Sequence, residues 1–150
     1  MSNSDRAEVV RNLLRQEKYG VLSTLSVKHE GWPFGSATPY ALTASGEPLI
    51  FVSSLAEHTR NMMNDPRVSL FIQDTATKAN PQSIARATLL GVVEAVAETE
   101  REEAARLYLQ RFPEAVQNFQ LGGFSMLKIV VRHVRYIGGF GDMFWVSLND

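Results

Sequence analysis

The sequence predicts a mainly β domain with peripheral α-helices, an α+β fold in which six or seven antiparallel strands close into a small barrel. Three observations carry that expectation. Period-two alternation of apolar and polar residues recurs in short stretches bounded by turn residues, the pattern of half-buried strands. Helical signals are fewer, and each opens on a capping-box spacing, Ser, Thr or Asp followed three residues later by Glu. At 150 residues the chain is one ordinary domain, residues 1–150, with no internal repeat, linker or low-complexity segment.

Asp5 and Glu8 form the first box. They open a helix with an apolar stripe of Val9, Val10, Leu13 and Leu14, ended by Gly20. Residues 19–27 follow as a strand and residues 28–33, KHEGWP, as a turn. Residues 34–42 place Ser36, Thr38 and Tyr40 on one parity behind Phe34, and Ala37, Pro39 and Ala41 on the other, which suits a strand with one polar, groove-lining face. Ser45-Gly46 supplies a turn, and residues 48–52, PLIFV, form a short buried strand. Ser54 and Glu57 repeat the box at the start of a helix closed by Asn64, Asp65 and Pro66. Residues 67–74 alternate Val68, Leu70 and Ile72 against Ser69, Phe71 and Gln73, a half-buried strand. A polar loop with Lys78, Asn80 and Pro81 leads to a long strand over 86–97, in which Gly91 marks a bulge or bend. Thr99 and Glu102 open a helix that runs to about Phe112 and stops at Pro113. Residues 124–136 make a second long strand, and Gly138, Gly139 and Gly141 break the chain before a last strand over 143–146.

Composition narrows the function. Net charge is −1 and the pI about 6.3, so no broad field draws in nucleic acid or an anionic membrane. With no cysteine, disulfides, thiolate catalysis and Cys-based metal sites are excluded. The polar N-terminus does not read as a signal peptide and no apolar run approaches a membrane span, so a cytoplasmic protein is expected. His29, His58 and His133 lack metal-ligand spacing, and no protein-bound metal is expected. There is no G-x-S-x-G elbow. The run Gly138-Gly139-Phe140-Gly141 precedes an aromatic stretch rather than a helix, and reads as a sharp turn, not a dinucleotide loop.

The chemistry concentrates at residues 34–61. A strand that ends in Ser53 and Ser54 at a helix N-terminus offers backbone N–H groups and the positive end of the helix dipole to an anion, with His58, Thr59, Arg60 and Asn61 adding donors in the first turns. Arg86, at the head of an apolar strand, is a second cation for a phosphate, whereas Lys78 reads as surface charge. Of the aromatics Trp32, Phe34, Tyr40, Phe140, Phe144 and Trp145, Trp145 is the candidate for stacking on a ring.

The runs PFGSATPYAL, PLIFVSSLAEHTRNMMNDPRVSL, ARATLLGVVE and RYIGGFGDMFWV together resemble the FMN-binding split-barrel superfamily that contains the pyridoxamine 5′-phosphate oxidases. Within it the chain looks most like the branch that includes bacterial haem-utilisation proteins. The resemblance implies a homodimer with flavins in the clefts between subunits. The FMN phosphate would lie on Ser53, Ser54, Thr59, Arg60 and Asn61, and the ring along Ser36, Thr38 and Tyr40. Arg86 would reach across the dimer, and Trp145 would be the late aromatic of the last strand. It implies an FMN-dependent oxidoreductase acting on a small molecule. The alternatives on the same barrel are a haem-binding or haem-degrading protein and a non-catalytic dimeric binding protein. The strand SATPYAL lacks the R-x-x-x-x-K pattern of the true oxidases, which argues against strict pyridoxamine 5′-phosphate oxidase activity.

Overall fold

The computed structural model describes residues 1–76, 80, 83–139 and 141–148. Lys78, Pro81 and Phe140 therefore lie outside the described residues. Helix α1 (Asn3–Gln16) leads into β1 (Tyr19–Leu25), β2 (Pro33–Pro39), β3 (Ala41–Leu42) and β4 (Pro48–Ser53). After α2 (Glu57–Asn64) come β5 (Arg67–Gln73) and β6 (Arg86–Ala95). Helices α3 (Arg101–Arg111) and α4 (Val116–Leu121) precede β7 (Phe124–Gly139) and β8 (Asp142–Val146).

The strands pair in the order β2-β1-β5-β6-β7-β4-β3, all antiparallel, with β8 also on β7. Sequence alternation suggests a single strand over 34–42, but the chain there divides at Tyr40. Its first half pairs with β1 and its second with β4, at opposite ends of the strand order. Two strands one residue apart can serve both ends of a sheet only if the sheet curls until those ends meet. That curl makes the split barrel.

Register carries the core across the strands. Leu22 pairs with Leu70, Leu70 with Leu89, Leu89 with Val134 and Val134 with Val146, and all five are buried. Ala7, Val10, Leu13 and Leu14 of α1 close this core. A second cluster joins Leu49 and Val96 to Ala104, Tyr108 and Phe112 of the α3 side, with Phe51 stacked on Phe119 at 4.0 Å. Gly91 is a bulge: the register shifts between Leu90 and Gly91, and a Cβ there would stand 2.3 Å from the Val130 carbonyl oxygen.

The helix starts differ from the capping-box spacings. Ser2, not Asp5, caps α1; the Asp5 backbone N–H donates to Ser2 Oγ and Ser2 N–H to the Asp5 carboxylate. The helix ends at Gln16, and Gly20 belongs to β1. At α2 the N-cap is Ala56, with no side-chain cap, because Ser53 Oγ takes the Leu55 N–H one turn early. Thr99 and Glu102 do not cap α3 either; a short 3-10 turn, Glu98–Glu100, delivers the chain into it. Helix α4 has Ala115 at its N-cap and no side-chain cap, so no capping-box spacing announces it.

Candidate functional site

Strand β4 and helix α2 are joined by a tight turn, and β2 runs alongside. Thr59 Oγ1 donates to the Ser53 carbonyl at 2.6 Å, and the Ala56 N–H reaches the same oxygen at 3.2 Å. The Ser54 N–H donates to the Gly123 carbonyl at 2.8 Å, which ties the turn to the head of β7, while the Ser54 residue itself stays exposed. Across the groove, Ser36 Oγ lies 3.4 Å from His58 Nδ1. His58 is half-buried, and loss of hydration lowers its pKa, so the ring stays neutral near pH 7. Ser36 and His58 thus face each other between β2 and the start of α2, and Thr59 is fixed on the Ser53 turn next to them.

Other expected site residues are spent on structure. Asn61 is 1 % exposed; its Nδ2 donates to Thr24 Oγ1 and its Oδ1 accepts from the Val27 N–H, both at 3.0 Å, which pins α2 to β1. Tyr40 does not line a groove. It is fully buried, donates its hydroxyl proton to the Leu14 carbonyl at 2.7 Å, and carries the Arg111 guanidinium 5.0 Å from its ring centroid. That burial pushes its phenol pKa up. Thr38 is buried beside Gly20 at the edge of the core. Arg60 Nη2 reaches back to the Glu57 carboxylate at 3.2 Å and to the Leu55 carbonyl of the turn at 3.5 Å.

Arg86 and Trp145 lie at the other end of the sheet. Ser53 pairs with Phe124, whereas Trp145 pairs with Arg135, eleven positions further along β7 (135 − 124), and Arg86 with Ile137. At about 3.3 Å per residue that is roughly 35 Å of strand, so one protomer does not bring them to the cleft. Arg86 Nη1 donates to the Ile84 carbonyl at 3.1 Å, and Arg135 lies over the Trp145 ring at 5.7 Å. The described aromatics noted in the sequence lie apart. Trp32 and Phe34 lie at the β1–β2 hairpin, and Phe144 is buried against Tyr136. Trp145 is instead part of an outward row, Val21–Phe71–Thr88–Arg135–Trp145, in which Val21 and Trp145 are 42 % and 56 % exposed.

The whole chain, residues 1–150, matches the family profile described as CREG, β-barrel. The chain belongs to that family. It is 36% identical over 137 residues to a chloroplastic haem oxygenase of Arabidopsis thaliana, HOZ, which covers 91% of this chain and 41% of the relative. It is 26% identical over 140 residues to the haem oxygenase HutZ of Vibrio cholerae, covering 91% of this chain and 78% of HutZ. A solved haem-binding protein from Mycobacterium smegmatis superposes with a TM-score of 0.88 and 32% identity, over 99% of this chain and 59% of that one. The chain therefore spans about two-fifths of the plant relative and under three-fifths of the mycobacterial one. At lower identity the likeness extends to solved proteins of the pyridoxamine 5′-phosphate oxidase type, which shows the split-barrel fold. Among the described residues no helix is long and apolar enough to cross a membrane, and no cluster of His, Cys, Asp or Glu could hold a metal ion.

Proposed function

We propose that this protein binds haem in the cleft between β2 and α2, and that haem is its substrate for oxidative degradation. The observation that carries the reading is the likeness to the mycobacterial haem-binding protein, which at 32% identity covers 99% of this chain and so includes every element of the cleft. Likeness to two haem oxygenases supports the degradative half.

His58 is the ligand this geometry favours. A neutral imidazole binds iron through the nitrogen that its second-shell hydrogen bond leaves free, and Ser36 at Nδ1 leaves Nε2 for that purpose. His29 sits in the β1–β2 turn and His133 on the outward face of the sheet, both exposed. Bound haem supplies the iron at which dioxygen and an external reductant act. The chain's part would be to seat the macrocycle and keep the His58 ring neutral.

The reading includes a homodimer. The outward row that ends in Trp145 exposes an apolar side chain at each end, Val21 and Trp145, and a second copy laid over it would carry Arg86 toward the partner's cleft. Such a dimer would offer a cation to a propionate. FMN is the weaker reading. The two curated relatives are haem oxygenases, and within one protomer Thr59 Oγ1 already donates to the Ser53 carbonyl while Arg60 lies against Glu57.

The test is absorbance titration of the full chain with haemin, and in parallel with FMN followed by flavin fluorescence. Haemin is expected to give a saturable Soret band at one per protomer, with FMN weaker. Addition of ascorbate in air should then bleach the band and release iron. Saturable FMN binding with no Soret change would overturn the reading in favour of the flavin. Haem binding without bleaching would leave a haem carrier.

A further inference from the structure

A cavity along α2 shares Thr59 with the site between β2 and α2 and is otherwise lined by other residues. It holds about 660 Å³ and is walled by α2, the end of β6, the first residue of α3 and the start of β7. Helix α2 contributes Thr59, Met62 and Met63, spaced i, i+3 and i+4, so that these residues share a face. His58 and Asn61 look toward β2 and β1 instead. The helix thus turns one face to this cavity and another to β1 and β2, with Thr59 at the junction. The volume falls within the range of small-molecule pockets. Most of its lining is apolar, Val52, Val93 and Leu127 among it, and three methionines, Met62, Met63 and Met126, give it walls that adapt to an irregular apolar body.

Two charges flank it, Arg101 and Glu94. Arg101 has no acidic partner among the described residues, although Arg106 on the same helix is paired with Glu103. A guanidinium left free at the rim of an apolar cavity is matched by a carboxylate whose tail lies inside. Glu94 on the same rim repels a second negative charge, so a monoanion fits better than a dicarboxylate such as haem. We infer that this cavity is a binding site for an apolar monocarboxylate of medium chain length, its tail among the three methionines and its carboxylate on Arg101. The inference is independent of the haem reading.

The chain's five methionines make the test direct. Protein labelled with ¹³C at the methionine methyls is titrated with dodecanoate below its micelle concentration and followed by NMR. The expected result is saturable shifts at Met62, Met63 and Met126, with Met1 and Met143 unmoved. Arg101→Gln should weaken dodecanoate by about tenfold and leave dodecanol unchanged. Shifts at Met143 equal to those at Met62, or none at all, would overturn the inference. So would an Arg101→Gln protein that binds dodecanoate as the wild type does. Shifts at the three cavity methyls that depend on protein concentration without ligand would make a second copy the occupant and defeat it too.

Discussion

Replacing Tyr40 with Phe should cost stability and spare ligand binding. The Tyr40 hydroxyl donates to the Leu14 carbonyl at 2.7 Å, one of the C-terminal carbonyls that α1 leaves without a helical partner. Both residues are essentially inaccessible, at 0% and 1%, so no water replaces the lost donor. Arg111 Nη2 is the other donor to that oxygen, at a long 3.5 Å, and it also donates to the Arg15 carbonyl at 3.2 Å and to that of Glu17. A lost hydrogen bond with a buried acceptor left behind costs about 1–3 kcal/mol. Partial cover from Arg111 puts the expected loss at about 1–2 kcal/mol. The ring itself stays packed, so no cavity adds to it. For a chain of this length that is roughly 2–8 °C in Tm. Urea unfolding followed by circular dichroism, at one fixed protomer concentration, reads it as a lower midpoint with an unchanged slope. An unchanged midpoint would refute the capping argument. A normal midpoint with haem affinity lost would return Tyr40 to the groove-lining role that the strand's alternation suggested.

Gly91→Ala should cost about 2 kcal/mol or more by the same assay, because the new methyl meets the Val130 backbone oxygen rather than a movable side chain. His58 gives a pH dependence of known sign. Its folded pKa lies below the unfolded 6.5, so the unfolded chain takes up the proton first. The His58 contribution is whole above about pH 6.5 and is lost as pH falls through the folded value, and His58→Gln should flatten that part of the profile. Light scattering should give about twice 16.7 kDa. A Val21→Glu, Trp145→Glu double variant should run as a folded monomer, whereas a wild type that is monomeric at micromolar concentration would end the shared-cleft proposal.

Strands were legible where one face is buried. Val68, Leu70 and Ile72 announce β5 because burial on one side forces the alternation. The break at Tyr40 was not legible, since both halves of residues 34–42 keep the same parity and only pairing with β1 and β4 separates them. The Ser54/Glu57 spacing is genuine, yet Ser53 closes its own turn first, and local competition of that kind leaves no mark in the spacing. Ser36, Ser53, Ser54 and Thr59 all fall within residues 34–61, and the structure brings Thr59 onto the Ser53 carbonyl and Ser36 to His58. Asn61 was not separable from them, because its amide N–H is spent on Thr24 and its amide oxygen on the Val27 N–H, more than thirty residues away (61 − 24 and 61 − 27). Arg86 and Trp145 were candidates by residue type and by resemblance, and the β7 register sets both at the far end of the sheet from Ser53. The pairing of Ser36 with His58 had one signal, a histidine at i, i−3 from Asn61 on the helix face toward β1 and β2.

The measurement that tests the central claim most directly is the haemin titration repeated with His58→Ala, read at the Soret band, with His29→Ala and His133→Ala alongside. The account predicts a saturable band in the wild type and in the His29 and His133 variants. In His58→Ala the band should be shifted or lost, with affinity down by about tenfold or more. A wild type with no saturable band contradicts haem binding itself. A His58→Ala protein with the wild-type band and affinity contradicts the placement of haem between β2 and α2.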